Sequence, residues 1–227
     1  MTKDNKDKLT IYFIITLSIF LMFIIDYIIQ AKYIWKSLIK ILLFFIIPTL
    51  YIKRCNRYKK RYFGKISKKQ AIRSIALGIF VYIFIIGFYL VIKNFIDLNH
   101  IQTILVKNLN VNRSNFIFVA FYIAFVNSLL EEYFFRGFIF LSLLKIHERK
   151  SAYIISAFLF AIYHVAIMAN WFNIYLFILA LIGLFIAGIL FNWLDEGSKN
   201  IYNSWLVHMF ANFAINTVGF IMFGFFK

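Results

Sequence analysis

Seven apolar runs, at about 9–29, 35–52, 72–92, 116–144, 152–169, 174–194 and 201–225, dominate this 227-residue sequence. A hydrocarbon layer of ~30 Å needs about 20 apolar residues to be crossed as a helix. Inside it each backbone polar group must find a partner within the protein, which leaves helices as the spanning element for runs of this length. The chain therefore reads as an all-α polytopic bundle of seven transmembrane helices, with the long fourth and seventh runs leaving an eighth open. Composition agrees: 63% of the residues are hydrophobic and 21% aromatic, against an apolar share of about 45–50% in soluble domains. A single proline and few glycines leave the runs largely unbroken. Pro48, in the second run, lacks an N–H and should kink or end that helix. No repeat and no linker is visible, so 1–227 is expected to be one integral membrane domain.

Charge sets the orientation. A net charge of +16 could suggest nucleic acid, but Lys and Arg fill the gaps between runs, where topology and anionic headgroups explain them. The segment 53–73 carries Lys53, Arg54, Arg57, Lys59, Lys60, Arg61, Lys65, Lys68, Lys69 and Arg73 and no acid. Such a loop is too short for a nucleic-acid-binding domain and is expected in the cytoplasm against anionic lipid headgroups. A second basic cluster, Lys145 to Lys150, gives the same orientation, with the N-terminus cytoplasmic and the protein multi-pass in the cell membrane. Met1 to Lys8 is charged and lacks a small-residue cleavage site, which reads as an uncleaved anchor. Cys55 is the only cysteine, so neither an intramolecular disulfide nor a thiolate cluster is available.

Smaller expectations follow from the gaps and faces of the runs. Segment 93–115, with Asp97, His100, Lys107 and Arg113, is an external loop with room for one short amphipathic helix. Asp195 to Asn200 should form a polar cytoplasmic turn, and Asp26 should sit at the interface close to Lys32. Trp35, Trp171, Trp193 and Trp205 lie near run ends, as an aromatic belt requires. Ala180, Gly183, Ala187 and Gly188 make a small-residue face for a neighbouring helix.

Against this background Glu131, Glu132 and Arg136 stand out in the middle of the fourth run. An ionisable group at mid-membrane costs about 2.5–3.5 kcal/mol on insertion scales and is read as functional, with a partner to be found. Two other polar sets lie inside runs: His164 in the fifth, and Ser204, His208, Asn212 and Asn216 on one face of the seventh. At ~1.5 Å per residue, Glu131 and His164 lie about 20 Å from the cytoplasmic ends of their runs and His208 about 10 Å. With about 100° per residue, Glu132 and Arg136 align at i,i+4, while Glu131 points away. Glu132 is then the salt-bridge partner of Arg136, and Glu131 is free to face the histidines. A low-dielectric site disfavours a bare carboxylate, which suits a general base that takes a proton from water and returns it to a leaving amine.

The ordered set Glu131-Glu132-x-x-x-Arg136, Phe160-x-x-x-His164 and His208-x-x-x-Asn212 resembles the CPBP family (CAAX protease and bacteriocin-processing, or Abi), the Rce1-like intramembrane glutamic endopeptidases. The motifs fall within 116–216; the first three runs carry only generic hydrophobicity. The resemblance implies a metal-free endopeptidase open to the cytoplasm. Its catalytic residues would be Glu131 with His164, activating water, and His208 with Asn212, holding the oxyanion; Glu132 and Arg136 support them. Its substrate would be a membrane-anchored protein or peptide, and no cofactor is expected.

Three alternatives remain at this level. Glu131, His164 and His208 are also a His₂Glu zinc donor set with an open position, although no His-Glu-x-x-His pair is present. A non-catalytic bacteriocin-immunity or scaffold protein is a second. A transporter is disfavoured by the lack of repeat symmetry and of a broken helix pair around the polar residues. The abundance of Ile, Lys, Phe and Asn resembles low-GC bacterial proteins, in which prenylated substrates are not expected.

Overall fold

The computed structural model describes residues 3–55, 63–198 and 200–226, with side chains from Asn5 onward. Arg57, Lys59, Lys60 and Arg61 of the basic segment, and Lys199 of the 195–200 turn, lie outside the described residues. Seven helices among those described are long and apolar enough to cross a membrane: α1 (Asn5–Ile28), α2 (Tyr33–Arg54), α3 (Lys68–Phe95), α5 (Phe116–Leu143), α6 (Arg149–Met168), α7 (Ile174–Ser198) and α8 (Tyr202–Met222). The protein is thus an all-α, multi-pass bundle. Between α3 and α5 lies α4 (Leu98–Leu109), the short helix expected in the 93–115 segment. Asp97 caps it by accepting from the His100 N–H at 2.9 Å, satisfying one of the orphan donors of its first turn. α3 starts with a capping box between Ser67 and Gln70.

α5 is the most enclosed span, and α3 and α7 the most exposed to the surroundings. α8 packs along α3 and crosses α5, while α7 packs along α6. The α6–α7 approach depends on one of the expected small residues. A Cβ at Gly188 would stand 2.8 Å from Ala157 Cα and 2.9 Å from its Cβ, whereas one at Gly183 would meet nothing within 4 Å. The small-residue face is therefore narrower than its sequence suggests. Gly188→Val is expected to destabilise the bundle by about 1–3 kcal/mol through overpacking and Gly183→Val to change it little; thermal unfolding in detergent micelles separates the two.

Neither α2 nor α5 is regular. α2 widens into a π-helical turn over Leu42–Ile46 just before Pro48 and then continues to Arg54. The helix does not end at the proline, because the wider turn relieves the ring's clash with the preceding turn. α5 is π-helical over Tyr122–Asn127, α-helical over Ser128–Glu132 and π-helical again over Tyr133–Phe140. Such wide turns leave carbonyls without their usual i+4 partners, and the polar stripe of α8 supplies donors. Trp205 Nε1 donates to Phe125 O at 3.2 Å, Asn212 Nδ2 to Ile123 O at 3.1 Å and Asn216 Nδ2 to Ala120 O at 2.9 Å. Trp205 is thus a docking residue rather than a free member of an interfacial belt.

Two further expectations are corrected. Asp26 pairs with Lys36, not Lys32, at 2.8 Å, because Lys36 faces it from one turn inside α2. The 195–200 turn is not a solvated one: Asp195, Asn200, Ile201 and Ser204 are buried. Asp195 accepts from the Ser204 backbone N–H at 3.1 Å and from its hydroxyl at 2.5 Å, so an acid from α7 satisfies the first turn of α8. Asn200 Nδ2 donates to Gly64 O at 2.7 Å, which lays the 63–67 segment over the turn. α8 therefore starts inside the protein, and this brings His208, only two turns from the helix start, to the level of Glu131.

Candidate active site

The central α-helical turn of α5 holds both glutamates fully buried, at 2% exposure for Glu131 and 0% for Glu132. Glu132 Oε1 lies 3.2 Å from Arg136 Nη1, one turn further on. The guanidinium is held by charge and by rings: among the described residues none of its nitrogens has an aligned hydrogen-bond partner. Its carbon sits 4.1 Å from the Phe160 ring centroid and 4.8 Å from that of Phe191, so a cation–π sandwich takes the place of lost hydration.

Helical phase separates the second carboxylate, as the spacing indicates. Glu131 Oε2 faces His164 Nε2 at 3.8 Å and His208 Nε2 at 3.6 Å. Both imidazoles are anchored through their other nitrogen. His208 Nδ1 donates to Glu132 Oε1 at 2.8 Å, and its ring stacks on Phe191 at 5.3 Å. Glu132 is therefore more than the structural partner of Arg136: it also orients an imidazole, because α8 crosses α5 with Nδ1 nearest that carboxylate.

His164 sits at a break in α6. Its backbone N–H turns back to Ala161 O at 3.1 Å, which frees Phe160 O to accept from the His164 ring at Nδ1, 2.8 Å away. The fifth run thus contains a single break, and the break fixes the ring. Phe160 thus contributes a carbonyl to one histidine and a ring to the arginine. Asn212 lies one turn beyond His208 on α8; its amide is anchored on Ile123 O, which leaves the second N–H of that NH₂ group uncommitted to that bond.

The sequence reading misses one member of the site. Lys40, on α2, is 5% exposed, and its Nζ lies 2.5 Å from Glu131 Oε1 and 2.5 Å from Asn127 Oδ1. Asn127 Nδ2 donates to the same Glu131 oxygen at 3.0 Å. The signal was available, since Lys40 is an ammonium inside the apolar run 35–52, but the sequence reading does not single it out. A side-chain cation thus lies beside Glu131. Among the described residues no group of three or more His, Cys, Asp or Glu is arranged to hold a metal ion.

Residues 113–214 match the sequence model of the family described as type II CAAX prenyl endopeptidase Rce1-like. This segment is similar to that family over 102 of the 227 residues. No curated protein and no solved structure matches the chain. The Rce1-like segment contains every residue singled out from the motifs, from Glu131 to Asn212, and α5, α6, most of α8 and the intervening α7 that carry them. Lys40 lies outside it. The first three spans of the bundle therefore close over the Rce1-like segment without belonging to the match.

Proposed function

We propose that the protein is an intramembrane endopeptidase that hydrolyses a peptide bond of a membrane-anchored protein or peptide with water activated by Glu131 and His164. One observation carries the reading. Because Phe160 O fixes the proton of neutral His164 on Nδ1, Nε2 is an acceptor, and it faces a second acceptor, Glu131 Oε2, at 3.8 Å. Two converged acceptors at that spacing suit a group that donates to both, and water does so. Glu131 takes the proton as the oxygen attacks the carbonyl carbon, then returns it to the leaving nitrogen as the C–N bond breaks.

The oxyanion needs donors on the other side. His208 gives its Nδ1–H to Glu132 and turns Nε2 to the site, where a proton on that nitrogen is the donor. The second N–H of Asn212 is the other donor, on the same face of α8. Donors fixed before the reaction in a water-poor site act at little reorganisation cost. Lys40 supplies the positive charge that a metal would place beside Glu131, which favours the metal-free version of the chemistry. Basic residues of 53–73 on anionic headgroups support a site that opens toward the cytoplasm.

The test is cleavage of a membrane-peptide library by the purified protein in vesicles. His164→Ala and Asn212→Ala are each expected to lower kcat by about 10²–10³ with a smaller change in KM. Wild-type rates in both variants would overturn the mechanism. Inhibition by a chelator that zinc reverses would establish the metal version instead.

A further inference from the structure

Lys40 reaches the site from α2, outside the Rce1-like segment, and the manner of its contact says more than that Glu131 has a counter-ion. Its ammonium touches only one oxygen of the carboxylate, Oε1, at 2.5 Å, and the same oxygen accepts from Asn127 Nδ2 at 3.0 Å. Asn127 is itself tied to Lys40 at 2.5 Å through its own oxygen. Lys40, Asn127 and Glu131 thus close a three-membered ring of contacts. The remaining faces of the ammonium lie toward aromatic rings, 5.0 Å from the centroid of Tyr163 and 5.5 Å from that of Phe44. Tyr163 precedes His164 in the chain, so the residue that walls the ammonium adjoins the one that faces Oε2.

A glutamate carboxylate on three rotatable bonds has two equivalent oxygens and no intrinsic reason to present either. Two donors converging on Oε1 remove that equivalence. Oε2 is then the oxygen turned to His164 Nε2 and His208 Nε2. A counter-ion serving charge balance alone has no need of the same oxygen as Asn127; in this site the two donors act on one atom and leave the other for the histidines.

We propose that Lys40 is a positioning residue of the peptidase site, clamping Oε1 of Glu131 together with Asn127 so that Oε2 is the oxygen presented to the water and the histidines. The proposal rests on the peptidase reading for its kinetic consequence but not for the clamp itself, and the two are tested apart. For the clamp, infrared difference spectra are recorded in detergent, wild type minus Glu131→Gln and Lys40→Met minus Lys40→Met/Glu131→Gln. The carboxylate stretching bands that depend on Glu131 are expected to shift when Lys40 is replaced. Unchanged bands overturn the proposal whether or not the protein cleaves anything.

For positioning, cleavage by Lys40→Ala is measured with and without ethylammonium or propylammonium chloride. A misplacement of about 1 Å can cost 10² in rate, so kcat is expected to fall about 10–100-fold with KM within about twofold. The amines are expected to restore part of kcat, and sodium chloride at equal ionic strength none of it. A lysine that merely locks α2 to α5 would instead lower the folded fraction, show no amine rescue and leave kcat per folded molecule unchanged; that result overturns the proposal. If wild type cleaves nothing, the peptidase reading fails, and the spectra still decide the clamp.

Discussion

Glu131→Gln is expected to leave the bundle folded and to lower the cleavage rate by about 10²–10⁴, the span typical of losing a positioned general base. The substitution is nearly isosteric, and the glutamine oxygen can still accept from Lys40 and Asn127, which both contact Oε1. What changes is the other atom. An NH₂ group in the place of Oε2 takes no proton from water and donates toward His164. The measurement is kcat for one identified peptide in vesicles, beside thermal unfolding to show that both proteins are folded alike. Cleavage at the wild-type rate would remove Glu131 from the mechanism. A variant that cleaves nothing yet retains a protective phenotype in cells would favour a binding role such as bacteriocin immunity.

The largest effect on stability is expected from Arg136→Met. Arg136 and Glu132 are both 0% exposed and 3.2 Å apart, so removing the arginine leaves a buried carboxylate whose hydrogen-bonded partner among the described residues is His208. Breaking a buried pair from one side costs about 3–5 kcal/mol, mostly for the charge left behind. The double substitution Arg136→Met/Glu132→Gln should therefore recover much of the lost stability, because the unpaired carboxylate is removed with its partner. Activity should not return with it: the introduced amide offers the His208 Nδ1–H a neutral oxygen in place of a carboxylate, which weakens the hold on the ring proposed for the oxyanion site. Unfolding in detergent and kcat read on wild type and both variants separate the two roles of Glu132.

Much of the architecture was legible because a membrane restricts the chain so strongly. Seven runs of sufficient length became seven spans with ends shifted by a few residues, and the i,i+4 spacing of Glu132 and Arg136 identified their pairing. The division between the two glutamates followed from phase alone. Other features were hidden for physical reasons. No composition rule marks where a helix widens to a π turn, so the carbonyls that Trp205, Asn212 and Asn216 serve could not be foreseen. The ring-to-carbonyl bond that breaks α6 at His164 depends on a backbone shift, not on a residue type. Lys40 was concealed by its neighbours: with Lys32 and Lys36 before it, a third lysine at the start of a run reads as interfacial until Glu131 is seen 2.5 Å away.

The separation of Lys40 and Glu131 by 91 residues bears on how the chain is assembled in the membrane. α2 is synthesised well before α5, so it enters the lipid with an ammonium that has no carboxylate to meet. One turn from Lys36 and two from the start of the helix, that side chain can extend toward the headgroups in the meantime, as long lysine stems do near span ends. α5 then arrives with two acids and one guanidinium, of which only Glu132 and Arg136 neutralise each other within the helix. Glu131 is left with an unmatched negative charge until α2 docks and Lys40 swings inward. Closure of the bundle is thus tied to a charge that each half lacks alone, and a chain whose first helices were misinserted would carry an uncompensated acid at its centre.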